Sequence, residues 1–178
     1  ASKTLLYSKN KDLIIDNDSH NPVALQVGGS EIEDLKKCSK IAYDYNYDEI
    51  NLNVGCPSQR VQNREIGACL MAKPQKVAAC FQAMQDHVSI PVSIKTRIGI
   101  DQHDQYPFLK QFIQINADAG CTIFIIHARK AWLKGLSPKE NREVPPLNYK
   151  RARSLAVRRN DLSVVLNGGL VTIEHIDA

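Results

Sequence analysis

Short apolar runs rich in β-branched residues punctuate the chain, and their pattern predicts five β-strands. In the clearest run, 50–54, apolar and polar residues alternate with the period of two that places them on opposite faces of a strand. A glycine or proline lies within three residues of every run. The predicted strands are VALQV at 23–27, INLNV at 50–54, VSIKTR at 92–97, IFIIH at 123–127 and SVVLN at 163–167. TLLY at 4–7 is interpreted as the remnant of a sixth strand.

Between the predicted strands, apolar residues recur at helical spacing. Ser30 and Glu33 fit a capping box, so a helix is expected from there through about residue 46. Further helices are expected over about 74–87, 106–119 and 149–158. Gly120 is placed to end the second of these three. Because strands alternate with helices, the sheet is predicted to be parallel, with helical crossovers.

Two arrangements of a parallel sheet are open, a doubly wound sheet and a (β/α)8 TIM barrel. No GxGxxG motif follows a predicted strand, which weakens the dinucleotide-binding version of the doubly wound sheet. Polar residues at the ends of the strands favour the barrel: Gln26, Asn53, Lys95, His127 and Asn167. If the apolar residue before each of them faces the helices, all five point inward at the C-terminal mouth, where the active sites of barrel enzymes lie.

A complete barrel has eight strands and usually about 250 residues, whereas this chain has 178. We therefore predict that residues 1–178 are the middle of an α/β barrel, covering about strands 2 to 7. An unclosed parallel sheet would expose long unpaired edges, a liability for folding alone.

Charge and cysteine content narrow the classes of function. The net charge of +4 and the pI near 8.8 permit a nucleic-acid partner without requiring one. Five cysteines with no CxxC pair fit neither a disulfide framework nor a structural zinc site, and they fit a reducing, cytoplasmic setting. No apolar run approaches the roughly 20 residues that cross a bilayer, so no membrane association is expected. A monomer is the default expectation.

Cys56 is the candidate reactive side chain. It follows Gly55 and precedes Pro57, so the thiol is expected on a sharp turn just beyond a strand. The alternative is a small residue tolerated in a turn. The remaining cysteines are interpreted as small core residues: Cys38, Cys69, Cys80 and Cys121.

The convergent amide, lysine and imidazole side chains argue against a hydrolase, since neither a Ser-His-Asp set nor a carboxylate pair accompanies them. They suit a planar, polar, anionic cofactor, because amides pair with ring carbonyl and imide groups while Lys and His neutralise charge. Exposed backbone N–H groups after Asn167 could bind a phosphate. A Schiff-base role for Lys95 is a poorer second interpretation.

Four motifs together resemble the tRNA-dihydrouridine synthase family. NLNVGCPS at 51–58, KTRIG at 95–99 and IHARKAWL at 126–133 are similar to the family as a whole. GLSPKENR at 135–142 is similar to the bacterial subgroup that acts at D-loop positions 20 and 20a. The resemblance runs through essentially the whole chain. It implies that residues 1–178 are a partial FMN-binding TIM-barrel catalytic domain, whose enzyme uses NADPH or NADH to reduce uridine in tRNA to dihydrouridine.

The resemblance also implies roles for individual residues. Those that would bind FMN are Gln26, Lys95, His127, Asn167, Gly168 and Gly169. Cys56 would donate a proton to C5 of uracil while the flavin supplies hydride to C6, and a thiol of ordinary pKa, about 8.5, is protonated for that task at neutral pH. Asn53, Lys139 and Arg142 would lie at the tRNA-contact surface.

Other functions stay open at this stage. One is an FMN-dependent barrel oxidoreductase acting on a free pyrimidine, and another is a non-catalytic RNA-binding remnant. Basic residues between 128 and 142 argue for phosphate contacts, although a solvated loop is the plain alternative. Arg151, Arg153, Arg158 and Arg159 are interpreted as a solvated helix face. The family's first and last strands and its C-terminal helical domain have no counterpart in these motifs, so we expect the segment alone to be inactive.

Overall fold

A computed structural model describes residues 2–8 and 22–173. Its strands form one sheet: β1 (Ala24–Val27), β2 (Glu49–Val54), β3 (Val92–Arg97), β4 (Ile123–His127) and β5 (Ser163–Asn167). The strands lie in chain order, and every neighbouring pair is parallel. This unidirectional order is that of successive βα units in a barrel, whereas a doubly wound sheet reverses direction at a switch point. The prediction of an incomplete (β/α)8 barrel is confirmed.

The helices are α1 (Ser2–Tyr7), α2 (Ile32–Asp44), α3 (Gln59–Gln62), α4 (Pro74–Gln85), α5 (Tyr106–Asp118), α6 (Glu140–Glu143) and α7 (Tyr149–Arg158), with a 3-10 helix at Ala68–Ala72. The four longest, α2, α4, α5 and α7, follow the sequence pattern closely. Gly120 follows α5 with a φ of +100°, as expected of a helix-ending glycine. None of the helices in the described ranges has both the length and the apolarity needed to cross a membrane.

Two predictions about local structure are wrong. Residues 4–7 belong to helix α1, whose Leu5 is buried in the core and which packs against α2. A four-residue apolar run cannot by itself distinguish a strand from a buried helical turn. Ser30 does not cap α2, because the helix begins one residue later, after Glu31, and no side chain makes a capping hydrogen bond there.

The core lies between the sheet and the helices. Leu52, Ile94 and Ile126, each preceding a candidate site residue, are fully buried there, as predicted. Leu25 and Leu166, on the two edge strands, are only partly buried. The opposite face of the sheet therefore carries the candidate site residues, because side chains alternate along a strand.

Polar side chains on that inner face form a hydrogen-bonded chain across three strands. Asn53 Nδ2 donates to Gln26 Oε1 at 2.8 Å, and Gln26 Nε2 donates to Asn51 Oδ1 at 2.6 Å. Asn51 Nδ2 then donates to Ser93 Oγ at 2.6 Å, and Ser93 donates to Glu49. Since these contacts join alternate residues of adjacent strands, they demonstrate directly that the candidate residues of β1 and β2 share one face.

Candidate active site at the carboxyl ends of the strands

A tight turn holds Cys56 immediately beyond β2. Asn53 Oδ1 accepts hydrogen bonds from the backbone N–H groups of Gly55, at 3.1 Å, and Cys56, at 3.0 Å. An asparagine that bonds the backbone two and three residues ahead reverses the chain as a turn does. Cys56 is left half-buried at the surface of this turn, so the predicted position of the thiol is confirmed.

Gly67 supports the Cys56 turn from behind. The backbone N–H of Ala68 donates to Cys56 O at 2.8 Å. Gly67 has a φ of +83°, and a Cβ added there would overlap the Cys56 carbonyl. Only glycine therefore allows this close approach in this conformation. The hydrophobic pattern of the sequence does not indicate that Gly67 is required, since its contact is with a different segment of the chain.

A cleft of about 200 Å³ opens beside Cys56 at the carboxyl ends of β2 to β5. Its lining includes most of the predicted site residues: Asn53, Cys56, Lys95, His127, Arg142 and Asn167. Gln26 adjoins it through its bond to Asn53, whereas Lys139 is exposed and does not line it. A larger hollow of about 560 Å³ lies near α1 and the start of α2 and contains none of the predicted residues.

The cleft is positively charged and contains no carboxylate among its lining residues. Burial lowers the pKa of His127 to about 4, with the charges of Arg97 and Lys95 adding to the effect, so its imidazole is neutral at pH 7. Burial also lowers the pKa of Lys95, and the neighbouring charge of Arg97 acts in the same direction. A cleft with these properties suits an anionic ligand.

Arg97 connects the Cys56 turn to the long segment after β4, and it was not among the residues singled out from the sequence. Its side chain is only 5% exposed. Nε donates to Gly55 O at 3.2 Å, and Nη1 donates to Asn141 O at 2.9 Å. Burial lowers the pKa of Arg97 to about 10, which still leaves the guanidinium charged at neutral pH.

Asn141 holds together the segment that we call the basic loop, residues 128–148. Its side chain is fully buried. Oδ1 accepts from the Trp132 N–H at 2.7 Å, and Nδ2 donates to the carbonyls of Trp132, Leu136 and Ser137 at 3.0 to 3.3 Å. This network fixes the position of Arg142 at the cleft. The motif comparison included Asn141 but gave no reason for its role.

The turn after β5 depends on two glycines in left-handed conformations. Gly168 and Gly169 have φ values of +97° and +72°. A Cβ on Gly168 would overlap the imidazole of His127, so the backbone lies too close to that ring for any residue other than glycine. Tyr149 donates its hydroxyl to Gly168 O at 2.9 Å and holds the turn in place. Backbone in this conformation presents N–H groups to an anion.

These features fit an anionic, planar cofactor such as FMN. Amide side chains are available from Gln26 and Asn167, and a cation from Lys95. His127 offers a neutral ring, and the Gly168 turn offers a cradle that a side chain would fill. The donor set therefore matches both a heterocyclic ring and a phosphate.

The remaining cysteines differ from Cys56. Cys38, Cys80 and Cys121 are buried, and burial raises the pKa of their thiols to about 12, 11 and 12. Their predicted core positions are confirmed. Cys69, also predicted to be a core residue, is instead half-buried in the 3-10 helix, and burial raises its pKa as well. Within residues 2–8 and 22–173, no group of three or more His, Cys, Asp and Glu side chains could hold a metal ion.

Fold and cleft together define a segment of a (β/α)8 barrel with a candidate catalytic site at its C-terminal mouth. The family model described as dihydrouridine synthase matches residues 1–178. The chain therefore belongs to the dihydrouridine synthase family, and the resemblance drawn from its motifs is confirmed.

Curated relatives support the subgroup as well as the family. A tRNA-dihydrouridine(20/20a) synthase of Vibrio parahaemolyticus is 57% identical over 165 residues, which are 92% of this chain and 51% of the relative. Proteins of the same name from Pasteurella multocida and Escherichia coli are 60% identical over 158 residues and 55% identical over 168 residues. These alignments cover 89% and 94% of this chain and 48% and 51% of the relatives. The chain thus spans about half the length of the curated relatives it matches.

Proposed function

We propose that this chain forms the catalytic part of a flavin-dependent tRNA-dihydrouridine synthase, which reduces a uridine in the D-loop of tRNA. The observation that carries the proposal is the convergence of Cys56, Lys95, His127 and Asn167 on one carboxylate-free cleft. The names of the relatives, tRNA-dihydrouridine(20/20a) synthases, support the choice of substrate. Because the chain spans about half of those relatives, turnover is expected from the full-length protein and not from this segment alone. A cytoplasmic, monomeric enzyme is our working expectation.

FMN would be held by the amides of Gln26 and Asn167, by Lys95 and His127, and by the backbone of Gly168 and Gly169. When bound and reduced by NADPH or NADH, FMN supplies the hydride that adds to C6 of uracil. The positive charge of Lys95 stabilises negative charge that develops beside it. The neutral imidazole of His127 can donate one hydrogen bond without adding a further cation to the cleft.

Cys56 would donate the proton that C5 needs once hydride has added at C6. Its thiol lies at the cleft on a turn fixed by Asn53 from one side and by Gly67 from the other. The guanidinium of Arg97 donates to Gly55 O on the same turn and so keeps a positive charge beside the thiol. Such positioning would keep the proton in reach of the reacting carbon, which is the first requirement of a general acid.

The tRNA would contact the mouth through Asn53, Lys139 and Arg142. Arg142 lines the cleft, and Lys139 lies exposed just before α6, where it can reach a phosphate. Asn53 Nδ2 carries two hydrogens, so it can donate to Gln26 and to a base edge together. The target base has to leave its stack to enter such a cleft, as in other enzymes that act on bases.

The proposal is tested in the full-length protein with Cys56→Ala and, as a matched control, Cys69→Ala. We expect Cys56→Ala to retain FMN and its bleaching by NADPH but to form no dihydrouridine in unmodified tRNA. Cys69→Ala, which changes a half-buried thiol outside the cleft, should remain active. The readouts are the visible flavin spectrum and dihydrouridine content.

Each alternative has its own signature in this experiment. Dihydrouridine formation by Cys56→Ala at the wild-type rate would show that Cys56 is not the proton donor. Loss of flavin in this variant would show that Cys56 has a structural role. Turnover of free uridine would favour a free-pyrimidine reductase. A wild-type protein that FMN cannot reconstitute would overturn the enzyme proposal and leave the RNA-binding remnant.

A further inference from the structure

A groove lies beside helix α7 and is bordered on one side by the basic loop. It consists of two adjoining hollows, of about 400 and 300 Å³, that share Asn148 and Arg151. We call it the α7 groove and define it by Tyr106, Trp132, Val144, Lys150, Arg151 and Arg158. None of these side chains has a role in the cleft described above.

The α7 groove lies in the most basic part of the chain. Residues 128–159 contain ten of the 23 Lys and Arg residues and only two of the 19 Asp and Glu residues. The acidic residue that borders the groove, Asp104, is already paired with Lys130 at 2.9 Å. Lys150 and Arg158 are exposed, and neither is in the ion pairs of the described residues. Two unneutralised cations therefore face solvent along one side of the groove.

Apolar and aromatic surfaces form the rest of the groove. Val144 is 62% exposed. The ammonium of Lys130 lies 4.2 Å from the centre of the Trp132 ring, and the guanidinium of Arg158 lies 5.8 Å from that of Tyr106. Cations combined with aromatic and apolar faces are typical of surfaces that bind a single nucleic-acid strand, since phosphates contact the cations while bases and riboses pack on the rings.

The groove and the active-site cleft share a wall. The basic loop carries Arg142 on the cleft side and Trp132 and Val144 on the groove side, and Asn141 fixes both parts of it. We propose that the α7 groove binds the sugar-phosphate strand of the tRNA that flanks the target uridine. This inference rests on the proposed function, because it takes the substrate of the cleft as the occupant of the groove.

The test is the salt dependence of tRNA binding by the full-length protein. Lys150→Gln with Arg158→Gln removes two exposed charges from α7, and Lys37→Gln with Lys40→Gln removes two from exposed positions of α2 as the control. Loss of two phosphate contacts to a single strand should lower the slope of log affinity against log salt by about 1.4, which is about 25-fold at 0.1 M salt if binding at 1 M is unchanged. Lys150→Gln alone should lower the slope by about 0.7.

The α7 variant should also raise the KM for tRNA and leave FMN content unchanged, and the control should match the wild type. An unchanged slope in the α7 variant, or an equal change in the control, would refute tRNA binding by the α7 groove even if the protein reduces uridine. A changed slope in a protein that reduces no uridine would support the groove and refute the proposed activity. A wild-type protein that binds no tRNA would overturn the groove.

Discussion

Acidification should destabilise the folded protein through His127. The imidazole is 9% exposed and lies at a cleft lined also by Lys95, Arg97 and Arg142. Protonation would place a further positive charge among these cations, with no carboxylate in the lining to compensate it. Burial and these charges together lower the pKa of His127 to about 4.

The sign and size of the effect follow from the pKa values in the two states. His127 titrates near 6.5 in the unfolded chain and near 4 in the folded one, so between these values the unfolded state binds more protons. Stability is therefore complete above about pH 6.5 and is lost as the pH falls toward 4. At 1.36 kcal/mol per pKa unit, the free energy of unfolding should decrease by about 2 kcal/mol between pH 7 and pH 5.

The pH range of this effect distinguishes the titration of His127 from that of the carboxylates. The pKa of Glu65, which two lysines lower to about 2, exemplifies groups whose stabilisation is lost only below their unfolded value of about 4.5. The assay is urea denaturation of the flavin-free full-length protein at pH 7, 6 and 5. His127→Gln should remove most of the pH dependence, and His103→Gln, at an exposed ring, should keep it. Equal pH dependence in the wild type and His127→Gln would refute the reasoning.

Two further substitutions test the supports of the site. Gly67→Ala should cost about 1–3 kcal/mol of stability, because the new Cβ would displace the Cys56 carbonyl. It should also slow dihydrouridine formation while FMN is retained. The control is Gly135→Ala, at a similar φ of +85° but with no atom within 4 Å, which should affect activity little. Equal loss of activity in both would assign the effect to strain alone. Asn141→Ala should cost about 1–3 kcal/mol, because it leaves partly buried backbone groups of the basic loop unpaired. It should also raise the KM for tRNA and speed limited proteolysis within the basic loop; wild-type proteolysis rates would contradict this.

The sequence was sufficient to predict which face of the sheet carries the site. Alternation of apolar and polar residues along β2 leaves one register that buries Leu52, and the same parity applies to Ile94 and Ile126. Once these residues face the helices, the residues that follow them must face the opposite side. The common carboxyl end of parallel strands then brings them into one cleft.

The residues that the sequence did not reveal act through contacts between distant segments. Arg97 and Asn141 are 44 residues apart, and each binds mainly backbone groups, so neither leaves a periodic pattern. Gly67 matters only because the Cys56 carbonyl occupies the space of its Cβ. Residues 4–7, which form part of helix α1, are too few to show the periodicity that distinguishes a helix from a strand.

Asn53 joins the parts of the site that the sequence treats as separate candidates. Its Oδ1 accepts two backbone N–H groups and so forms the turn that carries Cys56, while its Nδ2 donates to Gln26. An aspartate could accept the same two bonds, but it would place a carboxylate oxygen against Gln26 Oε1 and a negative charge at the mouth of a cleft whose charged lining residues are all basic. A residue that shapes the turn as an acceptor and presents a neutral donor to the neighbouring strand has to be a carboxamide. Asn53 therefore positions the proposed proton donor and orients a proposed flavin ligand, in addition to any contact it makes with RNA.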